Sequence, residues 1–499
     1  MRLRRRGLAS INSEIRDGIL PAADAVALVP KGEAVGAPST QNYRLIALII
    51  ACALFMEQMD ATVLATALPT MARDFGVQAT AMSAALTSYL LALAIFIPAS
   101  GQMADRFGSR TMFRIAILLF MIGSLLCGQA TSLPFMIAAR FVQGLGGAMM
   151  IPIGRLVLLR SVNKADMVSA MSWLIMPALI GPILGPPVGG FIVTYLDWRW
   201  IFWLNLPIGM LGVVLVTRFI GEFREAQPAR FDAPGFLLSG VSLGCLLFGF
   251  EIASRPGEAA VGAILAVVGL VVGLAYIRYA ARTADPILDL SLMRVPSFRL
   301  SVIAGSLTRI TQGAQPFLLP LMLQLGFGMS AAASGSITVA GAMGSLAMKG
   351  LAPRLLRRFG FRRALVTNGL VASIGYAVCG LFRPDWPIAA IFATLLACGF
   401  FMSFQFTAYN TIAYDEIPKA RMSAATSFYA TFQQLMLSLG ICIGAAALHA
   451  GMLVSGTSVP ALADFTIAFL VVTAISASAT LFNLRFAPDA GADLSGHRG

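Results

Sequence analysis

Residues 44–69 read RLIALIIACALFMEQMDATVLATALP. The run is apolar and long enough to cross a bilayer, since about 20 helical residues at a rise of about 1.5 Å cover the hydrocarbon layer. Glu57 and Asp60 stand inside it. Three residues apart, they share one face of a helix. A carboxyl group within a membrane is costly and belongs against a polar cavity or a partner. The remaining chain is read as what surrounds these two acids.

The chain has 499 residues, 58% hydrophobic and 12% charged, with a mean hydropathy of +0.81. A soluble chain carries about 25% charged residues, so this composition implies an all-α, multi-pass membrane protein embedded in a lipid bilayer. The net charge of +13 would suit nucleic acid, but most basic residues fall in short loops on one side of the topology, as the positive-inside rule requires. No nucleic-acid partner is expected. The six cysteines lie inside apolar spans without a Cys-x-x-Cys or Cys/His pattern. They read as packing residues, and neither a disulfide framework nor a metal site is indicated.

Residues 1–43 begin MRLRRR without the apolar core of a signal peptide and are read as a disordered cytoplasmic tail. Fourteen transmembrane helices are then expected, at 45–67, 80–102, 111–130, 134–158, 168–195, 200–220, 233–253, 259–279, 299–323, 331–352, 363–382, 387–408, 422–449 and 464–484. Arginines and lysines alternate onto the side of the tail, leaving only Arg73, Arg199, Arg255 and Arg383 on the other. This asymmetry puts both termini in the cytoplasm. The longest connection, about 280–298, divides the chain, and RFGSR at 106–110 recurs as RFGFRR at 358–363 after the corresponding span. Repeated bundles of this kind build transporters. The expected layout is a six-helix bundle at 44–220, two inserted helices at 221–280, a cytoplasmic linker at 281–298, a second six-helix bundle at 299–485 and a cytoplasmic tail at 486–499.

Four stretches carry candidate chemistry. In GQMADRFGSR, residues 101–110, Gly101 and Gly108 permit tight turns. Asp105 suits a helix N-terminus, and Arg106 and Arg110 suit acids on the opposite half. The loop is either a latch for one conformation or a hairpin with topogenic arginines. In the fourth span, Arg140 and Gln143 follow helical spacing. Counting in from the non-cytoplasmic ends, Arg140 and Asp60 lie at depths that agree to about 3 Å. An Arg–Asp pair is therefore expected, either broken and remade as the acid takes a proton or permanent and structural. In the fifth span, Gly181, Gly185 and Gly189 form a small-residue stripe interrupted by Pro177, Pro182, Pro186 and Pro187. It is either a static packing groove or a flexing seam between the halves. In the ninth, Arg309, Gln312 and Gln315 share a face near mid-membrane, too deep to snorkel. They face a cavity or pair structurally, and Gln405 and Gln433 join the candidate cavity residues. Arg155, by contrast, is expected to snorkel, and Glu251 to reach water at the outer end of its span. No HExxH, GxSxG or GxxxxGK[ST] motif occurs, so neither an enzyme nor ATP-driven transport is indicated.

These motifs together resemble a known family. GQMADRFGSR is similar to the loop between helices 2 and 3 of the major facilitator superfamily. MDATVLATALP at 59–69, RFVQGLGGA at 140–148, GPILGPPVGG at 181–190, WRWIFWLNLPIG at 198–209 and FLLPLMLQLGFGMSAAASG at 317–335 resemble its fourteen-span drug:proton antiporters of the EmrB/QacA type. GRLVLLR at 154–160 and QFTAYNTI at 405–412 resemble the MdtD-like members most. The resemblance spans roughly 44–485. It implies alternating-access export across the bacterial inner membrane, driven by the proton gradient without a cofactor. It implies proton coupling at Asp60 and Arg140, a helix 5 antiporter motif at Gly181, Pro182 and Gly185, and a gating loop at Asp105, Arg106 and Arg110. Ser109 departs from an often basic position, and Arg357 stands where the first repeat has Asp105. Glu57 lies outside the core motif and is assigned to the substrate cavity with Gln143. Protons and a small, amphipathic substrate are the expected partners; a periplasmic adaptor stays open. The alternatives are a dedicated exporter of one metabolite, such as a siderophore or organic acid, and a non-transporting sensor or scaffold.

Overall fold

The computed structural model describes residues 43–161, 167–224, 231–253, 258–283, 285–418, 421–457 and 459–495. The tail at 1–42 lies outside the described residues, as do Arg255, Lys419 and the last four positions. The described chain is helical and contains no strand. In order it forms α1 (Tyr43–Phe75), α2 (Ser83–Phe107), α3 (Ser109–Gly128), α4 (Leu133–Ser161), α5 (Met167–Tyr195) and α6 (Asn205–Phe219). Next come α7 (Ala233–Ala253), α8 (Ala259–Ala280), α9 (Pro296–Leu321), α10 (Ala331–Cys379), α11 (Ile388–Ile412), α12 (Met422–Ser455) and α13 (Leu462–Ala477).

Eleven helices among the described residues are long and apolar enough to cross a membrane. That number differs from the fourteen expected for identifiable reasons. α10 runs through two expected spans, turning at Gly360 with φ 67° and ψ 165°. α9 carries Arg299, Thr308, Arg309, Thr311, Gln312 and Gln315, which lower its hydropathy. α5 is described only in part.

Both RFG repeats turn on a glycine that no other residue replaces cheaply. Gly108 has φ 95° and ψ 135° and ends α2, as Gly360 breaks α10. Glu222, in the segment after α6, accepts hydrogen bonds from the Arg110 and Thr111 amides at 3.0 and 3.4 Å and from the Thr111 hydroxyl at 2.6 Å. It thereby occupies the donor-rich start of α3. A side chain at Gly108 would meet the Glu222 carboxylate. Gly108→Ala is expected to cost about 1–3 kcal/mol through backbone strain alone, seen as a lower melting temperature in detergent; an unchanged melt would refute that reading of the turn.

Apolar packing is unequal along the bundle. Toward the Phe75 end of α1, one cluster joins Val63, Leu68, Met82 and Phe202 to Phe317, Leu321, Leu448 and Phe469. It draws on α1–α4 and on α9–α13 alike. Toward the Tyr43 end, α1–α6 have their own cluster around Ile50, Phe113 and Ile153, and α9–α11 another around Met348, Phe361 and Phe404. The two helix sets thus share one core at the Phe75 end; at the other they have separate cores, bridged where Ala99 of α2 packs with Phe298, Val302 and Phe428 of α9 and α12. α7 and α8 pack on each other, and α7 also contacts α2 and α12.

The stretch after α8 is pinned rather than loose. Asp232 accepts from the Ile287 amide at 3.0 Å and the Tyr279 hydroxyl at 2.5 Å. Asp289 accepts from the Ser291 amide at 3.0 Å and pairs with Arg421, at the start of α12, at 2.5 Å. Burial pushes the Asp289 carboxyl up, but the Ser291 and Arg421 hydrogen bonds outweigh it and hold its pKa below the usual 3.8. A depressed carboxylate stabilises the fold above its unfolded pKa and loses that contribution as pH falls through its folded value. Asp289→Asn is therefore expected to lower the melting temperature at pH 7 and to make little difference near pH 3. An equal loss at both would put the effect in packing instead.

Candidate functional site

A buried polar cluster forms where α1, α3, α4 and α6 meet. α1 presents Asp60 and α4 presents Arg140, 2% and 1% exposed. Arg140 Nη1 donates to Asp60 Oδ2 at 2.6 Å and also to Gln143 Oε1 at 2.6 Å. Gln143 Nε2 and Asn205 Nδ2 each donate to Asp60 Oδ1 at 2.9 Å. Asn205 also donates to Ser124 Oγ at 2.8 Å, and Ser124 donates to the Phe202 carbonyl at 3.0 Å. The Arg140 guanidinium lies 4.4 Å from the centre of the Tyr89 ring. Such a pair is tolerable in apolar surroundings only because further hydrogen bonds satisfy the charges.

The Asp60–Arg140 contact is the one expected from helix depth. Gln143, expected at the substrate cavity, instead completes this cluster and is fully buried. Sequence reasoning missed Asn205, Ser124 and Tyr89. Asn205 is a lone amide in the apolar run WRWIFWLNLPIG at 198–209, which is the signal that could have found it. Glu57, one turn before Asp60, is 3% exposed, and its Oε2 has no hydrogen-bond partner among the described residues.

The loop residues are placed differently from expectation. Arg110 meets Glu222 at 3.7 Å and the Ile220 carbonyl at 3.2 Å. Both belong to the segment after α6, within the same helix set, so Arg110 does not reach across to α9–α13. The charge complement lies nearby because α3 and α6 pack side by side. Arg106 stacks near Phe107 at 5.7 Å, and Gly101 has open space beside it.

The glycine stripe of α5 is likewise not at the boundary between the two helix sets. Cβ atoms on Gly181, Gly185 and Gly189 would meet Gln58, Thr62 and Val63 of α1. The stripe brings α5 against α1 within one set. The boundary with α10 is made by the neighbouring face, where Gly190 abuts the Ala331 carbonyl and Gly335 abuts the Pro186 carbonyl. Helical periodicity separates the faces: Gly181, Gly185 and Gly189 share one stripe, and Pro186 and Gly190 the next. The Pro177 side chain lies outside the described residues.

A cavity of about 250 Å³ opens between α5 and α9–α11, lined by Pro182, Ile183, Gln312, Lys349, Ser403 and Phe406 among others. Arg309 sits beside it, bonded through Nη2 to the Tyr429 hydroxyl at 3.3 Å and to Gln433 Oε1 at 3.2 Å. Gln315 is half-buried on the same helix. Gln405 has a structural place rather than a free amide. It accepts from Asn368 at 2.5 Å and donates to Tyr409 at 3.2 Å, and Tyr409 donates to Asn483 at 2.7 Å. Glu251, expected to reach water, is buried between Ser83 of α2 at 2.8 Å and Cys442 of α12 at 3.5 Å. Arg155 is exposed and lies within electrostatic reach of Glu57 and Tyr414.

A buried acid–arginine cluster in one helix set and a cavity between the two sets suit a membrane transporter. The chain belongs to the Major Facilitator Superfamily, whose family model matches residues 50–441. It is 36% identical over 400 residues to the "Putative multidrug resistance protein MdtD" of Pectobacterium atrosepticum, covering 79% of this chain and 85% of that one. It is also 36% identical over 409 residues to the "Probable transport protein HsrA" of Haemophilus influenzae, covering 82% and 88%. Among solved structures, a D-xylose-proton symporter shares the fold with a TM-score of 0.63 at 17% identity, over 89% of this chain and 98% of that one. The protein is a multi-pass membrane transporter of a small molecule, not an enzyme.

Proposed function

We propose that the protein is a proton-coupled antiporter exporting small amphipathic compounds across the bacterial cytoplasmic membrane, with the proton gradient as its energy source and no cofactor. The observation that carries this reading is the Asp60–Arg140 pair at 2.6 Å, held by Gln143 and Asn205. A carboxylate so placed exchanges its arginine for a proton when the helices shift, because the pair and the protonated acid are alternative ways of neutralising one buried charge. The arginine asymmetry supports an orientation with both termini in the cytoplasm. On that orientation the shared core at the Phe75 end faces outward. Two six-helix bundles, at 44–220 and 299–485, rock about the α5/α10 and α2/α12 contacts. On this reading 221–280 hold the inserted pair and 281–298 the linker.

The test is proton release from purified protein on adding lipophilic cations, neutral compounds and anions, read with a pH dye in weak buffer. Ligand-dependent release that disappears in Asp60→Asn supports antiport. Ligand binding without release argues for another coupling or none.

A further inference from the structure

We propose that the cavity between α5 and α9–α11 receives the anionic end of an amphipathic organic anion, with Arg309 and Lys349 as its counter-charges. This deepens the exporter reading and rests on it only for the transport step, not for binding. Among the described residues two arginines are deeply buried, and Arg140 is neutralised by Asp60 at 2.6 Å. Arg309, 3% exposed, takes part in none of the ion pairs among the described residues. Its guanidinium has only neutral company there: the Tyr429 hydroxyl, Gln433, and the rings of Tyr429 and Phe406 at 4.9 and 5.6 Å. Its Nε has no hydrogen-bond partner among the same residues.

Lys349 brings a second cation to the same place. Its ammonium lies 5.6 Å from the centre of the Phe406 ring, the ring that Arg309 also approaches. Two like charges approaching one aromatic ring repel each other, and an anion between them removes that cost. Gln312, Ser345 and Ser403 add polar groups to the cavity wall, and no acid among the described residues lines it. Glu57 is on α1 and is not part of the wall; Arg155 is within electrostatic reach of it. Ile183, Leu346, Met402 and Phe406 supply apolar surface, so the site fits an anionic group carried on an apolar body better than an inorganic ion.

The experiment uses the full chain in phosphatidylcholine nanodiscs, without a gradient, and three probes of one shape: 2-naphthoate, 2-naphthamide and 2-naphthylmethylammonium. Naphthoate is expected to bind about ten-fold or more tighter than the other two. Arg309→Gln and Lys349→Gln should each remove that preference, while Arg309→Lys, which keeps the charge, should retain much of it. Lys349 is exposed, so its variant reports even if Arg309→Gln fails to fold. Equal or tighter binding of the ammonium probe, no saturable naphthoate binding up to millimolar concentration, or a preference that survives both neutral variants overturns the proposal. Adding phosphatidylglycerol distinguishes the anion's source: competition with naphthoate identifies a lipid headgroup, and its absence a free organic anion. Because binding is read at equilibrium without a gradient, a lost naphthoate preference speaks against the anion site alone, and absent ligand-dependent proton release speaks against coupling alone; the two failures are separate results.

Discussion

Asp60→Asn is expected to abolish proton-driven export while the protein still inserts in the membrane. The reason is a count of donors. Asp60 accepts from Arg140 on Oδ2 and from Gln143 and Asn205 on Oδ1. An asparagine offers one oxygen and one NH2 group. Whichever way it turns, its NH2 faces a donor, and Arg140 loses its counter-charge. Breaking a buried pair by removing one partner costs about 3–5 kcal/mol, so a lower melting temperature should accompany the lost transport. The double variant Asp60→Asn/Arg140→Gln separates the two effects. It removes the orphaned cation and should recover part of the stability, yet no acid remains to carry a proton. Export by Asp60→Asn in inverted vesicles at the wild-type rate would remove Asp60 from the mechanism. Export recovered in the double variant would assign the pair a purely structural role.

Gly335→Val is the second large effect, and it concerns conformation rather than chemistry. At the Phe75 end, α5 and α10 touch backbone to backbone. A Cβ at Gly335 would collide with the Pro186 carbonyl and press on Pro187 at 3.4 Å. Backbone has no rotamer with which to yield, so the helices must separate. The nearby Ala332 amide bond to Thr194 Oγ1 at 3.0 Å and the Gln324 bond to the Thr66 carbonyl at 3.0 Å would open with them. The variant should leave the state in which this end is fused, raising thiol labelling of an Ile192→Cys reporter, buried in the shared cluster, several-fold and stopping export. Gly350→Ala is the matched control, on the same helix with nothing within 4 Å of its missing Cβ, and it should behave as wild type. Wild-type labelling and export in Gly335→Val would show that the α5/α10 contact does not gate the pathway.

Much of the pairing was legible because it followed from one helical repeat. Asp60 and Arg140 could be matched by counting residues from their span ends, since depth in a membrane is nearly linear in sequence. The RFG turns could be matched because only glycine takes their backbone angles cheaply. Gln143 and Gln405 illustrate the limit. Both are polar residues on apolar helices, and membrane depth alone is compatible with a cavity. What decides between a cavity and a satisfied network is which partners other helices deliver. Asn205 and Ser124 claim Gln143's surroundings, while Asn368 and Tyr409 claim Gln405.

By itself, the sequence determined that this is a multi-pass helical membrane protein, which helices bear charge at mid-membrane, and where the repeats turn. Those properties depend on composition, periodicity and glycine, all local to a segment. Only the tertiary structure decided that the α5 glycine stripe faces α1 and not α10, that Arg110 meets Glu222 within its own helix set, and that Glu251 is buried between α2 and α12. It also gave Arg140 an acid and Arg309 only neutral neighbours among the described residues. A helix fixes the direction of its own side chains, but the rotation at which it packs is set by all its neighbours together. Charge compensation in a membrane is therefore a property of the assembled bundle.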